Sequence, residues 1–160
     1  MFNLLAGIYF SGHGVVERFA QGDIPGPVAA RDMAALYADY PEAAAAMLFN
    51  LVASHDTDRL LTMLGGGELG ASPPAATLSR QRLAAALLFA LPGMPVTFQG
   101  DECAFLGGAA GNHTARYPVQ WPACDDAMRA HYATLAGLKR DVDALRSPAI
   151  RAHAPTSSAG

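Results

Sequence analysis

Two short apolar runs, each ending at a polar turn with an acidic pair or a His-Asp pair, constrain how this chain can fold. Leu48–Ala53 (LFNLVA) leads into Ser54-His55-Asp56, and Met94–Phe98 (MPVTF) leads into Gly100-Asp101-Glu102. Both are of strand length and nearly continuously apolar, as expected of strands covered on both faces, with Asn50 the exception. Between them, Thr77–Leu91 puts Leu83, Leu87, Leu88 and Leu91 on one helical face and Arg80 and Arg82 on more solvated positions, and Pro92-Gly93 stops it. Strands alternating with helices through short connections are the pattern of an α/β fold. In a parallel α/β protein the loops after the strands line the substrate pocket, which draws attention to His55 and Asp56.

The rest of the chain fits the same alternation. Val15–Phe19 reads as a short helix, Gly22–Pro27 as a Gly/Pro loop, and Ala29–Tyr40 as a helix with Met33, Leu36 and Tyr37 at helical spacing, followed by a further turn at Ala43–Met47. Thr57 is placed to cap a helix carrying Arg59, Leu60, Leu61 and Leu64, which Gly65-Gly66-Gly67 ends. Gly65–Pro74 is then a surface loop framing the site. A last helix, about Asp125–Leu145, carries Met128, Tyr132, Leu135, Leu138 and Val142 on its buried side. Its acidic first turn and basic later turn suit the helix dipole. Pro148 closes it, and Thr156–Gly160 reads as a disordered tail.

Composition narrows the function classes. The chain is 51% hydrophobic and 16% charged with a net charge of -3, so it has no basic stripe for phosphates, and nucleic acid is not an expected partner. The apolar start, Met1–Phe10, has no basic residues before it and is broken by Ser11, Gly12 and Gly14, too soon for a membrane span. Cys103 and Cys124 form no metal-ligand spacing and read as two free or semi-buried thiols. The histidines show no i, i+4 pairing, so no metal site is expected.

Three segments taken together carry a family resemblance: Ser54-His55-Asp56-Thr57 after the first strand, Pro92-Gly93-Met94-Pro95-Val96-Thr97-Phe98-Gln99-Gly100-Asp101-Glu102 at the second, and Arg116-Tyr117-Pro118-Val119-Gln120-Trp121 beyond it. In this order and at these intervals they resemble the last part of the catalytic barrel of the α-amylase family (glycoside hydrolase family 13), closest to its neopullulanase and cyclomaltodextrinase members. The resemblance implies an α/β fold that is part of a TIM (β/α)8 barrel, roughly the end of strand six to strand eight with their helices. A complete barrel takes about 250 residues, and this chain has 160. Residues 1–146 are accordingly expected to be the C-terminal part of the barrel, and 147–160 the start of a following segment or a tail.

Retaining glycosidases use one carboxylate as nucleophile and one carboxylic acid to protonate the leaving oxygen, about 5 to 5.5 Å apart, around an oxocarbenium-like sugar. The resemblance makes Asp56 the third carboxylate, which stabilises the transition state through the hydroxyls of the sugar at the cleavage point. It makes His55 a hydrogen-bond donor to that sugar. Asn112-His113-Thr114-Ala115-Arg116 resembles a family loop reading Asp-Pro-x-x-Arg that contacts sugars further away, so Asn112 and Arg116 are substrate-binding candidates. Asn112 replaces the Asp, so that loop lacks its acceptor charge. The family's Gly-x-Arg-x-Asp nucleophile segment and the segment of its acid Glu do not occur in the sequence, and the chain alone is expected to be inactive.

Each motif also has a plainer reading. A His-Asp pair at a strand end also serves as a cap or hydrogen-bond partner, Arg116 as a solvated or salt-bridged arginine, Asp101 and Glu102 as loop organisers, and Trp121 as a packing anchor more than a sugar platform. The leading function is a portion of a retaining α-glucan hydrolase acting on α-glucan or maltooligosaccharide. The alternatives are a non-catalytic remnant serving carbohydrate binding or assembly, and part of a transglycosylase such as a trehalose synthase. No cofactor is implied, and the calcium of some relatives has its ligands mostly in segments outside this sequence. Unpaired strand edges predict self-association or association with the missing barrel half. A cytoplasmic location follows only from the family's habit.

Overall fold

The structure, a computed structural model, describes residues 14–150. The expectations for Met1–Phe10, His153 and Thr156–Gly160 lie outside the described residues. Helix α1 (residues 14–21) leads through a turn to α2 (Gly26–Ala38), whose early Pro27 and preceding Pro25 suit a helix start. A short α3 (Glu42–Ala45) precedes strand β1 (Phe49–Asn50), and α4 (Ala75–Ala90) crosses over to β2 (Met94–Pro95).

The strands pair in parallel, Phe49 with Met94 and Asn50 with Pro95. The ladder includes Met94 N–H to Leu48 O at 2.8 Å and Val96 N–H to Asn50 O at 2.7 Å. Regular pairing is therefore shorter than the two apolar runs. What extends beyond it on both strands is irregular backbone at the same end of the sheet, and the parallel direction sends residues 51–59 and 96–102 out side by side. That sends His55 and Asp56 out of the same end of the sheet as the Phe98–Glu102 turn.

Asn50, the polar exception, is fully buried and satisfied. The Tyr37 hydroxyl lies 3.1 Å from its Oδ1 and 2.8 Å from Pro92 O, and Asn50 Nδ2 also donates to Pro92 O. Burial pushes the Tyr37 hydroxyl up to about 12, opposed by the Asn50 contact. The network ties α2, β1 and the turn before β2 together. Gly93 belongs to this joint: its φ is +92°, and a Cβ there would come within 2.6 Å of Leu48 O, so both conformation and space call for glycine.

The main core joins α1, α2 and α4 through Val16, Met33, Tyr37, Leu48, Val52, Leu60, Leu64, Ala84 and Leu88. A second cluster packs α4 against α5 (Asp126–Asp141) through Ala85, Phe89, Met128 and Tyr132, the Phe89 and Tyr132 rings meeting edge to face with centroids 6.1 Å apart. Asp125 caps α5 by accepting from Met128 N–H at 2.7 Å, and Lys139 and Arg140 sit in its last turn. Val142 interrupts the helix, and a short α6 (Asp143–Arg146) follows.

Several sequence expectations give way here. The inner face of α4 is built from Thr77, Gln81, Ala84, Ala85, Leu88 and Phe89, while Leu83 is exposed: small alanines let α5 approach, and Gln81 is buried because its Nε2 donates to Asp101 O at 2.8 Å. Leu138 and Val142 are also exposed, so α5 buries only its N-terminal half well. Thr57 does not cap the following helix. Its Oγ1 accepts from Ser54 N–H at 2.9 Å and closes a turn instead. That helix is irregular: helical residues 60–61 run into a π-type turn at Thr62–Gly66, where Gly65 (φ +86°) ends it as the glycine run implied. Trp121 is 61% exposed, so it is not the buried anchor its residue type suggests. Cys103 and Cys124 are not free thiols but form a disulfide across 21 positions, because the turn after β2 and the approach to α5 bring their Cα atoms within 4.4 Å. Among the described residues no helix is long and apolar enough to cross a membrane.

Candidate active-site wall

Beyond β1, the chain turns at Ser54, whose Oγ accepts from Asp56 N–H at 3.2 Å, and this turn holds His55 and Asp56 out toward solvent. The Asp56 side chain is 66% exposed, yet both its oxygens are engaged. Oδ1 accepts from Arg116 Nη2 at 2.9 Å, and Oδ2 lies 3.2 Å from His55 Nε2. Arg116 makes a second contact, donating from Nε to the His55 carbonyl at 2.9 Å. One guanidinium therefore fixes both the main chain and the carboxylate of the His-Asp pair from 60 positions away. An exposed ion pair of this kind adds only about 0 to 1 kcal/mol of stability. Its consequence is orientation. A carboxylate accepts at about four lone-pair positions, so the two oxygens keep capacity for hydroxyl donors on the open side.

Arg116 reaches Asp56 because its loop is held at several points. Gly107 O accepts from Arg59 N–H at 2.9 Å, Gly107 N–H donates to Thr62 Oγ1 at 2.9 Å, and Asp58 Oδ1 accepts from Ala109 N–H at 2.6 Å. Gly108 closes the loop on itself: its N–H donates to Thr114 Oγ1 at 2.8 Å, and its carbonyl accepts from Ala115 N–H at 3.0 Å. At Gly107 a Cβ would lie 2.8 Å from Thr114 O, so glycine permits this close approach. Asn112, at the loop tip between Gly111 and His113 (φ +51°), is exposed. Among the described residues it makes no hydrogen bond with His55, Asp56 or Arg116, so the structure brings together three of the four candidate residues.

Under this surface lies a residue that its sequence pattern marks only weakly. Arg59 is 1% exposed, with its guanidinium 5.1 Å from the Phe98 ring centroid. It donates from Nη1 to Gln99 O and from Nη2 to Tyr117 O at 3.0 Å, joining the turn after β2 to the residue after Arg116. Burial lowers its affinity for the proton, while the nearby Asp101 and Glu102 raise it. Asp101 is also buried, with Oδ1 accepting from Leu60 N–H at 3.4 Å. Burial is the main cause that pushes its carboxyl up to about 7, against the Leu60 bond and the Arg59 charge, with Glu102 adding to the rise. Glu102 Oε2 accepts from Gly100 N–H at 2.8 Å. Both acids of the Gly-Asp-Glu motif thus organise the turn. The one available sequence signal for Arg59 was a charged residue at the head of an otherwise apolar helical stretch.

Beside Tyr117 opens a cavity of about 420 Å³ bounded by Leu69 and Pro73 of the glycine-rich loop and by Phe105, Pro118 and Gln120. Among the described residues no group of three His, Cys, Asp or Glu side chains is placed to hold a metal ion.

The chain is similar to proteins of known kind. The family described as Alpha amylase, catalytic domain, matches residues 17–153. Neopullulanase 2 of Thermoactinomyces vulgaris is 33% identical over 113 residues, 71% of this chain and 17% of that protein. A cyclomaltodextrinase of a Bacillus species is 32% identical over 112 residues, 69% and 18% of the respective chains. The solved type III pullulan hydrolase of Thermococcus kodakarensis superposes with a TM-score of 0.82 and 46% identity, covering 87% of this chain and 24% of that one. The chain thus spans less than a fifth of the length of these two curated relatives. Its structural neighbours are (β/α)8-barrel enzymes. On this evidence, the chain belongs to the α-amylase family of glycoside hydrolases, sharing part of its catalytic domain.

Proposed function

We propose that this chain forms one wall of an α-glucan hydrolase active site, with β1 and β2 as barrel strands seven and eight. Asp56 binds hydroxyls of the sugar at the cleaved bond. The observation that carries this reading is the exposed Asp56 carboxylate, held on both oxygens by Arg116 and His55 where β1 opens to solvent. A carboxylate fixed before substrate arrives needs no reorganisation as positive charge grows on the anomeric carbon, so its interaction strengthens toward the transition state. His55 orients the same sugar, and Arg116 keeps the carboxylate aimed. Asn112 extends the surface at the loop tip as a neutral hydrogen-bonding group.

The substrate class is an α-glucan or maltooligosaccharide, in keeping with the names of the relatives, which include pullulan hydrolases and cyclomaltodextrinases. In this reading residues 1–146 are the C-terminal part of the barrel and 147–160 the start of a following segment or a tail. Bond cleavage needs a nucleophile and an acid, and the family's segments for both are absent from these 160 residues. The isolated polypeptide therefore binds sugar without hydrolysing it. Exposed Phe49 and Met94, cross-strand neighbours, and Met47 beside them support association of the open sheet with complementary barrel strands or a second copy. The test is incubation of the purified polypeptide with maltohexaose followed by product analysis. No shorter sugars are expected, and their appearance at a rate that Asp56→Ala abolishes overturns the division of labour.

A further inference from the structure

The cavity beside Tyr117 takes no part in the Asp56 contacts, and its lining has a chemistry of its own. At about 420 Å³ it falls in the range of small-molecule sites, about 300 to 1,000 Å³. Its walls are mostly apolar, built by Leu69 and Pro73 of the glycine-rich loop and by Phe105 and Pro118. Leu69 is 53% exposed and Tyr117 47%, so two of the large lining side chains are only half covered. Arg59 is the one charged residue of the lining. Both its Nη atoms are spent on Gln99 O and Tyr117 O, and Asp101 and Glu102 stand close enough to offset its charge. An anion would find no free cation there, which favours an uncharged occupant. Hydrogen-bonding capacity nevertheless remains. The buried Arg59 Nε has no acceptor among the described residues. Gln120 is exposed and bonds only through Nε2, to Pro118 O at 3.4 Å, leaving its Oε1 open.

Apolar walls, a half-exposed phenol ring and a few uncharged hydrogen-bonding groups suit a pyranose ring, which carries apolar C–H faces and a rim of hydroxyls. The cavity is also continuous with the Asp56 wall along the chain. Thr114 and Tyr117 line it, and between them Arg116 reaches out to His55 and Asp56. Successive Cα atoms are about 3.8 Å apart, so an oligosaccharide of several rings is long enough to meet both places. We propose that this cavity is a second sugar subsite of the wall, holding one ring of an α-glucan chain while another ring of the same chain lies at Asp56. The ligand class rests on the sugar-binding reading of Asp56. The subsite supplies affinity for longer chains and takes no part in bond cleavage, because its contacts are the same before and during the reaction.

The experiment titrates the full chain, labelled with nitrogen-15, with maltohexaose and follows each amide shift, so that the two places are read separately. Saturable shifts are expected at Leu69, Leu106 and Gln120 around the cavity and at His55 and Asp56. Tyr117→Ala leaves the carbonyl that Arg59 uses and should weaken binding about fivefold or more, whereas Tyr117→Phe, which keeps the ring, should change it less than about twofold. Gln120→Ala removes an exposed amide and should weaken binding about twofold or more, a second readout should Tyr117→Ala fold poorly. In each variant the shifts at His55 and Asp56 should persist at higher sugar concentration. Shifts at His55 and Asp56 with none around the cavity overturn the subsite and leave the Asp56 reading intact. Affinities of Tyr117→Ala and Gln120→Ala equal to wild type also overturn it. Shifts around the cavity alone, weakened by Tyr117→Ala, uphold a sugar site there while the Asp56 reading fails. No shift at either place overturns both. Cavity shifts caused by 1,6-hexanediol and not by maltohexaose assign the cavity to an apolar occupant and overturn the proposal.

Discussion

Replacing Arg59 by methionine removes the buried guanidinium that joins the two halves of the site while keeping a side chain of similar reach. Two donors disappear, and the carbonyls of Gln99 and Tyr117 are left without them in a region where Arg59 was only 1% exposed. Each hydrogen bond from a charged donor contributes about 1.5 to 3 kcal/mol, and an orphaned buried acceptor costs about 1 to 3 kcal/mol. Part of this is returned, because the mutant no longer desolvates a charge. Asp101, however, loses the positive neighbour that favours its ionised form. The net cost is about 3 kcal/mol, equivalent to a melting temperature lower by about 6 to 12 °C in a chain of this size. Urea denaturation followed by far-ultraviolet circular dichroism measures it, with an unchanged m-value showing that the same surface unfolds. Arg59→Lys should recover less than half the loss, since one ammonium does not span both carbonyls. A methionine variant within about 0.5 kcal/mol of wild type would refute the claim that Arg59 is the buried joint of the site.

Two other perturbations read the same architecture. Reducing the disulfide, which spans 21 positions, should lower unfolding stability by about 3 kcal/mol on loop-closure grounds, seen as a lower urea midpoint with reductant present. An undiminished midpoint would show that the loop gains no constraint from the bond. Asp101 sets a pH dependence: its folded value of about 7 lies above the ordinary 3.8, so the folded state holds a proton that the unfolded chain releases. Stability from this group is fully present below about pH 3.8 and is lost as pH rises through about 7, so the melting temperature should fall between pH 5 and pH 8. Asp101→Asn should flatten that slope, and a slope unaltered by the substitution would assign it to other groups.

How far the sequence could be read depended on the range of the forces involved. The two strands, the crossover helix and the exit of His55 and Asp56 from a strand end were legible because apolar runs and Pro/Gly stops act locally. Bonds spanning tens of residues were not. Asp56 and Arg116 were anticipated only separately, as the transition-state stabiliser and a substrate-binding candidate, and Arg59 carried only the weak signal of a charge at the head of an apolar stretch. Leu83 misled because hydropathy spacing does not show that α5 would pack on Ala84 and Ala85, nor that buried Gln81 would serve the Asp101 turn. The cysteines were misread for the same reason: spacing excluded a metal motif, while proximity came from the turn after β2 and the approach to α5. Trp121 shows the limit of residue-type averages, since a usually buried side chain stands here in solvent.

The central claim is that Asp56 is a preset acceptor for sugar hydroxyls, and titrating the oxidised polypeptide with maltohexaose while comparing wild type with Asp56→Asn tests it most directly. Removing an exposed side chain should leave the urea midpoint within about 0.5 kcal/mol of wild type, while losing the charged acceptor should weaken binding about tenfold or more. Saturable binding that is unchanged in Asp56→Asn would contradict the account.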